Sequence, residues 1–73
     1  MTITEIRQKD KMVLIKCAND YDYNTVAFKL DFFNVRAVKV GLLNFEMTYL
    51  SDTMPANMRM ALDSIREFIK VKG

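Results

Sequence analysis

Histidine and tryptophan are absent from this chain of 73 residues, and cysteine and proline occur once each. Without histidine the usual general base is missing, and so is the Ser–His–Asp triad. The ordinary zinc sites built from cysteine and histidine are excluded as well. Cys17 is the single cysteine, so no disulfide can close within the chain. Of two glycines one is the last residue, which leaves Gly41 without a companion and rules out a glycine-rich phosphate loop. No linker, repeat or low-complexity tract is visible. Stretches free of charge, such as Tyr23–Phe28 and Gly41–Phe45, are far too short to span a bilayer. Neither sign of charge dominates: eleven Lys and Arg stand against nine Asp and Glu, a net +2. The chain has no basic arm and no acidic tail, only a slight lean toward anionic partners.

What is present is apolar. These residues make up 51% of the chain, enough for a core and too many for a disordered protein. The length points to one domain over residues 1–73. A chain this short buries only about 60–65% of the surface it exposes unfolded, and small folds gain help from disulfides, metals or partner subunits. With the first two closed off, a homodimer is expected. Phe32, Phe33, Met60 and Phe68 strengthen that expectation, because they cannot all reach a core built on one helix. Their interface is expected at a sheet edge or on a helix flank. A lone free thiol fits a reducing compartment. Met1–Glu5 carries an early acid and no apolar run, unlike a signal peptide. The reading is a cytoplasmic protein with no membrane partner, of a kind that a phage or mobile element can also encode.

Alternation marks strands. Met12–Ala18 places Val13, Ile15 and Cys17 on one side, and Thr25–Phe33 places Val26, Phe28, Leu30 and Phe32 on one side. Folding at the polar run Asn19–Asn24 and pairing Cys17 with Val26 sets Ile15 opposite Phe28 and Val13 opposite Leu30. Leu43–Leu50 alternates in the same way. Thr2–Arg7 supplies a short first strand, and Gly41 marks a bulge or turn. The last element is a helix: Asp52 or Thr53 caps it, Pro55 lies in its first turn, and Met58, Leu62, Ile65 and Ile69 make its apolar stripe. The fold class is α+β, an antiparallel sheet of three to four strands packed by a C-terminal helix. The order is ββββα, or ββαβα if Asn24 caps a helix over about 24–40 that stops at Gly41. The expected core is Val13, Ile15, Phe28, Leu30, Leu62 and Ile65. In order of elements only, ββββα resembles the dimeric single-stranded-DNA-binding domains of transcriptional coactivator type; no motif of that family is present, and a likeness of topology alone does not carry function.

No catalytic, metal or cofactor residues are assigned, and the chain is read as not an enzyme. Cys17 belongs to an apolar strand face, where a thiol is a small inert hydrophobe. Asp20 and Asp22 read as turn formers, since they lack the glycine and distal glutamate of a calcium loop. The candidate partner-binding residues are Lys16, Lys29, Arg36 and Lys39, with Tyr21 and Tyr23 at a hairpin tip. The register above would expose Lys16 and Lys29 together on one sheet face. The leading expectation is a small regulatory or inhibitory protein that acts by binding another protein, as a homodimer. The alternative is a single-stranded nucleic-acid binder using the basic sheet face, with phosphates on the lysines and bases stacked on the tyrosines. A continuous basic groove would favour the second reading. Mixed charge around an apolar patch would favour the first.

Overall fold

A computed structural model describes residues 3–72. The order is ββαββα: β1 Glu5–Lys9, β2 Met12–Lys16, α1 Asp20–Phe32, β3 Val38–Val40, β4 Asn44–Thr48 and α2 Ala56–Lys72. The expected α+β class stands, with a four-stranded antiparallel sheet and a C-terminal helix. Of the two readings of the middle stretch, the helical one is observed, over Asp20–Phe32 rather than about 24–40. The residues after it form β3 and β4. With α1 inserted after β2, the likeness in element order to the coactivator-type DNA-binding domains lapses.

The sheet order is β1-β2-β4-β3. β1 and β2 form a hairpin whose turn holds Asp10 at φ 55°, a left-handed conformation that aspartate tolerates better than most residues. The first strand was expected over Thr2–Arg7. Thr2 lies outside the described residues, and the strand runs Glu5–Lys9. β2 pairs with β4, not with the Thr25–Phe33 stretch: Ile15 lies opposite Phe45 and Val13 opposite Met47. Gly41 lies in the turn before β4 at φ +67°, which is why glycine stands there.

The cap chemistry explains why Asp20–Phe32 is a helix. Asn19 is extended, and its side-chain oxygen accepts a hydrogen bond from the Asp22 N–H at 2.9 Å. Asp20 and Asp22 place acid in the first turn and Lys29 places a cation in the last, as the helix dipole favours. Asn34 ends the helix at φ 57°. The Val35 N–H bonds the Leu30 carbonyl at 2.9 Å and the Asn34 N–H bonds the Asp31 carbonyl at 3.0 Å. That pair of bonds, with Val35 and Leu30 both buried, is a Schellman stop made by asparagine. Asp22, Val26 and Leu30 are buried four residues apart. The alternation Val26, Phe28, Leu30 shares two members with that helical series, and Phe28 is the member that distinguishes them. It is 71% exposed, so its expected place in the core is corrected.

Val13, Ile15, Leu30, Leu62 and Ile65 are buried as expected. They meet Val26, Phe45, Met47, Met58 and Ala61 between the sheet and the two helices. α2 begins two to three residues later than its expected cap. The Arg59 N–H bonds the Pro55 carbonyl at 3.0 Å, which puts Pro55 itself at the cap position rather than Asp52 or Thr53. Both helices lie on one face of the sheet, because Val13, Ile15, Phe45 and Met47 all point that way. The other face is left open.

Candidate interaction surface

The six candidate residues are dispersed. Lys16 ends β2 on the open sheet face, with Glu5 and Asn44 as its register neighbours. Lys29 lies on α1, and its Nζ donates to Ser64 Oγ on α2 at 2.9 Å. The expected shared sheet face for Lys16 and Lys29 is therefore corrected: one is on a strand and the other on a helix. Arg36 is exposed in the connection from α1 to β3. Lys39 lies opposite Phe45, so it belongs to the helix-side face, and its Nζ stands 5.8 Å from the Tyr23 ring centroid. Tyr21 and Tyr23 occupy the first turn of α1, not a hairpin tip. Tyr23 stacks on Phe45 at 4.6 Å and is half-buried, a packing role. Tyr21 is exposed and its ring leans toward Phe68 at 6.4 Å.

The open sheet face carries both signs of charge. The ladders align Glu5, Lys16, Asn44 and Val40 in one row, and Arg7, Leu14, Glu46 and Val38 in the next. Arg7 pairs with Glu5 at 3.1 Å. The cations of this face alternate with acids and apolar side chains and make no continuous groove.

Asp20 and Asp22 diverge, since they stand two apart on a helix. Asp20 is exposed, while Asp22 is buried and accepts a hydrogen bond from the Thr4 hydroxyl. Thr4 Oγ1 in turn accepts from the Ala18 N–H at 2.8 Å, so the segment before β1 is tied to the start of α1. Among the described residues no group of acidic or cysteine side chains is arranged to hold a metal ion. Cys17 is buried beside this knot. Burial, and then the negative charge of Asp22, push its thiol up to about 11. At neutral pH it is protonated and weakly nucleophilic.

The feature that sequence reasoning placed wrongly is the outer side of α1. Tyr21, Phe28 and Phe32 lie on it and are 69%, 71% and 69% exposed. Apolar residues are spread around this helix, with Val26 and Leu30 inward and Phe28 and Phe32 outward. The inner side of α1 is covered by the sheet, and among the described residues no second layer covers Phe28 and Phe32 on its outer side. Phe28, Lys29, Phe32, Phe33 and Ser64 line a cleft of about 220 Å³ between the helices. Met60, one turn before Ser64 on α2, is 55% exposed. The signal that could have found this surface was Asn19-Asp20 ahead of an acid at Asp22, a helix start that turns Phe28 away from Val26.

Among the described residues no helix is long and apolar enough to cross a membrane. Comparison with protein-family models, with curated proteins and with solved structures finds no match to this chain.

Proposed function

We propose that this chain is a small non-enzymatic regulatory or inhibitory protein that acts by binding protein, and that it docks through the α1–α2 face. The observation that carries the reading is the pair Phe28 and Phe32, each about 70% exposed on one helix beside a cleft. Single exposed apolar residues need no explanation, whereas adjoining aromatic rings rimmed by polar groups mark interaction sites. Asn24, Asp31 and Lys29 supply such a rim. Aromatic side chains are also the commonest anchors of protein interfaces.

The nucleic-acid alternative needs neighbouring cations that track a phosphate backbone, with aromatic faces alongside. Lys16, Lys29 and Lys39 occupy three different surroundings, and Tyr23 is stacked on Phe45. Mixed charge around an apolar patch favours protein.

The test places a photo-crosslinking side chain at position 32 of the full chain in its native host. Irradiation is expected to give discrete adducts with protein, identified by mass spectrometry. The same group at Leu50, 95% exposed on the connection from β4 to α2, is expected to give none. Adducts with nucleic acid alone, or no adduct at position 32, overturn the reading.

A further inference from the structure

We infer that the occupant of the α1–α2 face is a basic amphipathic helix of another protein, with apolar side chains toward Phe28 and Phe32 and lysine or arginine on its flanks. The inference rests on the reading that this face docks protein, and it names the chemistry of the partner.

Three contacts fix how the two helices lie. The Asn57 side chain donates to the Phe33 carbonyl at 3.2 Å, Lys29 Nζ donates to Ser64 Oγ at 2.9 Å, and the Tyr21 ring meets Phe68 at 6.4 Å. Contacts move back along α1 as they move forward along α2, so the pair is antiparallel. Tyr21, Thr25, Phe28 and Phe32 are spaced four, three and four apart and form a ridge on one side of α1. Met60, Ser64 and Glu67 are spaced four and three apart and share one side of α2. A ridge of about three turns beside a groove is the relief on which an apolar helix packs. The cleft of about 220 Å³ is smaller than the roughly 300–1,000 Å³ of a small-molecule site, and it suits a single anchoring side chain.

Charge selects among such helices. Asp20, Asn24 and Asp31, spaced four and seven apart, lie along one flank of the ridge. Asp31 stands two positions from Lys29, and residues so spaced do not face each other on a helix. The ridge therefore separates Asp31 from Lys29. Glu67 borders the other side of the face, one turn after Ser64. Asp20, Asp31 and Glu67 are exposed, and among the described residues none of them forms an ion pair. Lys29 is half-buried in the cleft on a neutral hydroxyl. Three acids against that one base leave this face at −2, while the whole chain is +2. The bases of α2 are turned elsewhere: Arg59, Arg66 and Lys70, spaced seven and four apart, share a side that Ser64 does not. Asp63 is paired with Arg66 at 3.4 Å.

A helix with cations on both flanks of its apolar side meets Asp20 and Asp31 on one flank and Glu67 on the other. An acidic helix, a nucleic-acid backbone or an anionic membrane surface meets like charge at the same places. Exposed pairs of this kind add little affinity each, and they decide which partner is accepted. The rings supply the anchoring.

The test selects random peptides of about 16 residues, just over four turns of helix, by phage display on the full chain at low salt. Enriched sequences are expected to repeat apolar residues three and four apart and to carry more Lys and Arg than Asp and Glu. One enriched peptide is then synthesised and its binding measured by fluorescence anisotropy. Asp31→Lys combined with Glu67→Lys is expected to raise the dissociation constant about tenfold at low salt, and by much less at molar salt, where screening acts within about 3 Å. Phe28→Ala is expected to raise it about thirtyfold, the effect of losing one anchor residue. Leu42→Ala, at a position 93% exposed in the turn before β4, is expected to leave it unchanged. Exchanging the Lys and Arg of the peptide for Glu is expected to abolish binding to the unaltered chain. No enrichment, enriched peptides without a basic excess, or binding indifferent to the Asp31→Lys and Glu67→Lys pair overturns the proposal. An acidic partner segment in the photo-adduct at position 32 would leave the docking reading intact and remove only the basic partner.

Discussion

The Thr4 hydroxyl donates a hydrogen bond to the Asp22 carboxylate at 2.5 Å, eighteen residues along the chain, and both side chains are buried. The same hydroxyl oxygen accepts the Ala18 N–H. Thr4→Val keeps the shape, removes the hydroxyl and takes one partner each from the buried Asp22 carboxylate and the half-buried Ala18 N–H. Such a loss costs about 1–3 kcal/mol. Urea denaturation is expected to show a lower midpoint for Thr4→Val, with most of the loss recovered in Thr4→Ser. Equal midpoints for the valine and serine variants would show that the hydroxyl contributes nothing.

Cys17 links stability to alkaline pH. Its folded thiol is raised from an ordinary 9.0 to about 11, first by burial and then by Asp22. Below pH 9 the thiol is protonated both folded and unfolded, so its contribution is constant. Between pH 9 and 11 the unfolded chain loses this proton while the folded one keeps it, and stability falls by at most about 1.4 kcal/mol per pH unit. Denaturation midpoints across that range are expected to drop more steeply for the original chain than for Cys17→Ala. At pH 8 a thiol reagent is expected to label the native protein no faster than it unfolds.

Leu62 and Phe28 are expected to respond oppositely to truncation. Leu62 is 1% exposed between the helices and the sheet, and Leu62→Ala leaves a cavity that costs about 2–5 kcal/mol. Phe28→Ala removes a side chain from the surface, and in dilute solution it is expected to change stability by no more than about 0.5 kcal/mol. Chemical denaturation of both variants at low protein concentration checks the pair. A large loss for Phe28→Ala would mean that the ring supports the monomer.

Asn34 holds a left-handed conformation at the stop of α1. Glycine reaches that conformation without strain, so Asn34→Gly is expected to hold stability or raise it by up to about 1 kcal/mol. A β-branched side chain suffers there, and Asn34→Val is expected to lower stability by about 1–2 kcal/mol. Thermal unfolding in the order glycine, asparagine, valine checks the assignment of this stop.

Much of the architecture followed from residue order alone. The strand face of Val13, Ile15 and Cys17, the strand face of Phe45 and Met47, and the stripe of Met58, Leu62 and Ile65 are each legible as a period, and all are buried. The α+β class and the helix at the C-terminus follow from those periods. Asn19–Phe33 was not decided in the same way. Val26, Leu30 and the residues between them satisfy a period of two and a period near four equally well, and the apolar content supports either. Local capping at Asn19 and Asn34 favours the helix, and the neighbour chosen by β2 completes the answer. β2 has one inner face to match, and Phe45 and Met47 of β4 fill it, which leaves Val26 and Leu30 to cover the sheet from a helix. Pairing between distant strands is a property of the packed molecule, and no local pattern contains it. The exposure of Phe28 and Phe32 follows from that pairing. The sequence argued that Phe32, Phe33, Met60 and Phe68 cannot all reach a core built on one helix, but only the rotation of α1 against the sheet determined that Phe28 and Phe32 face outward.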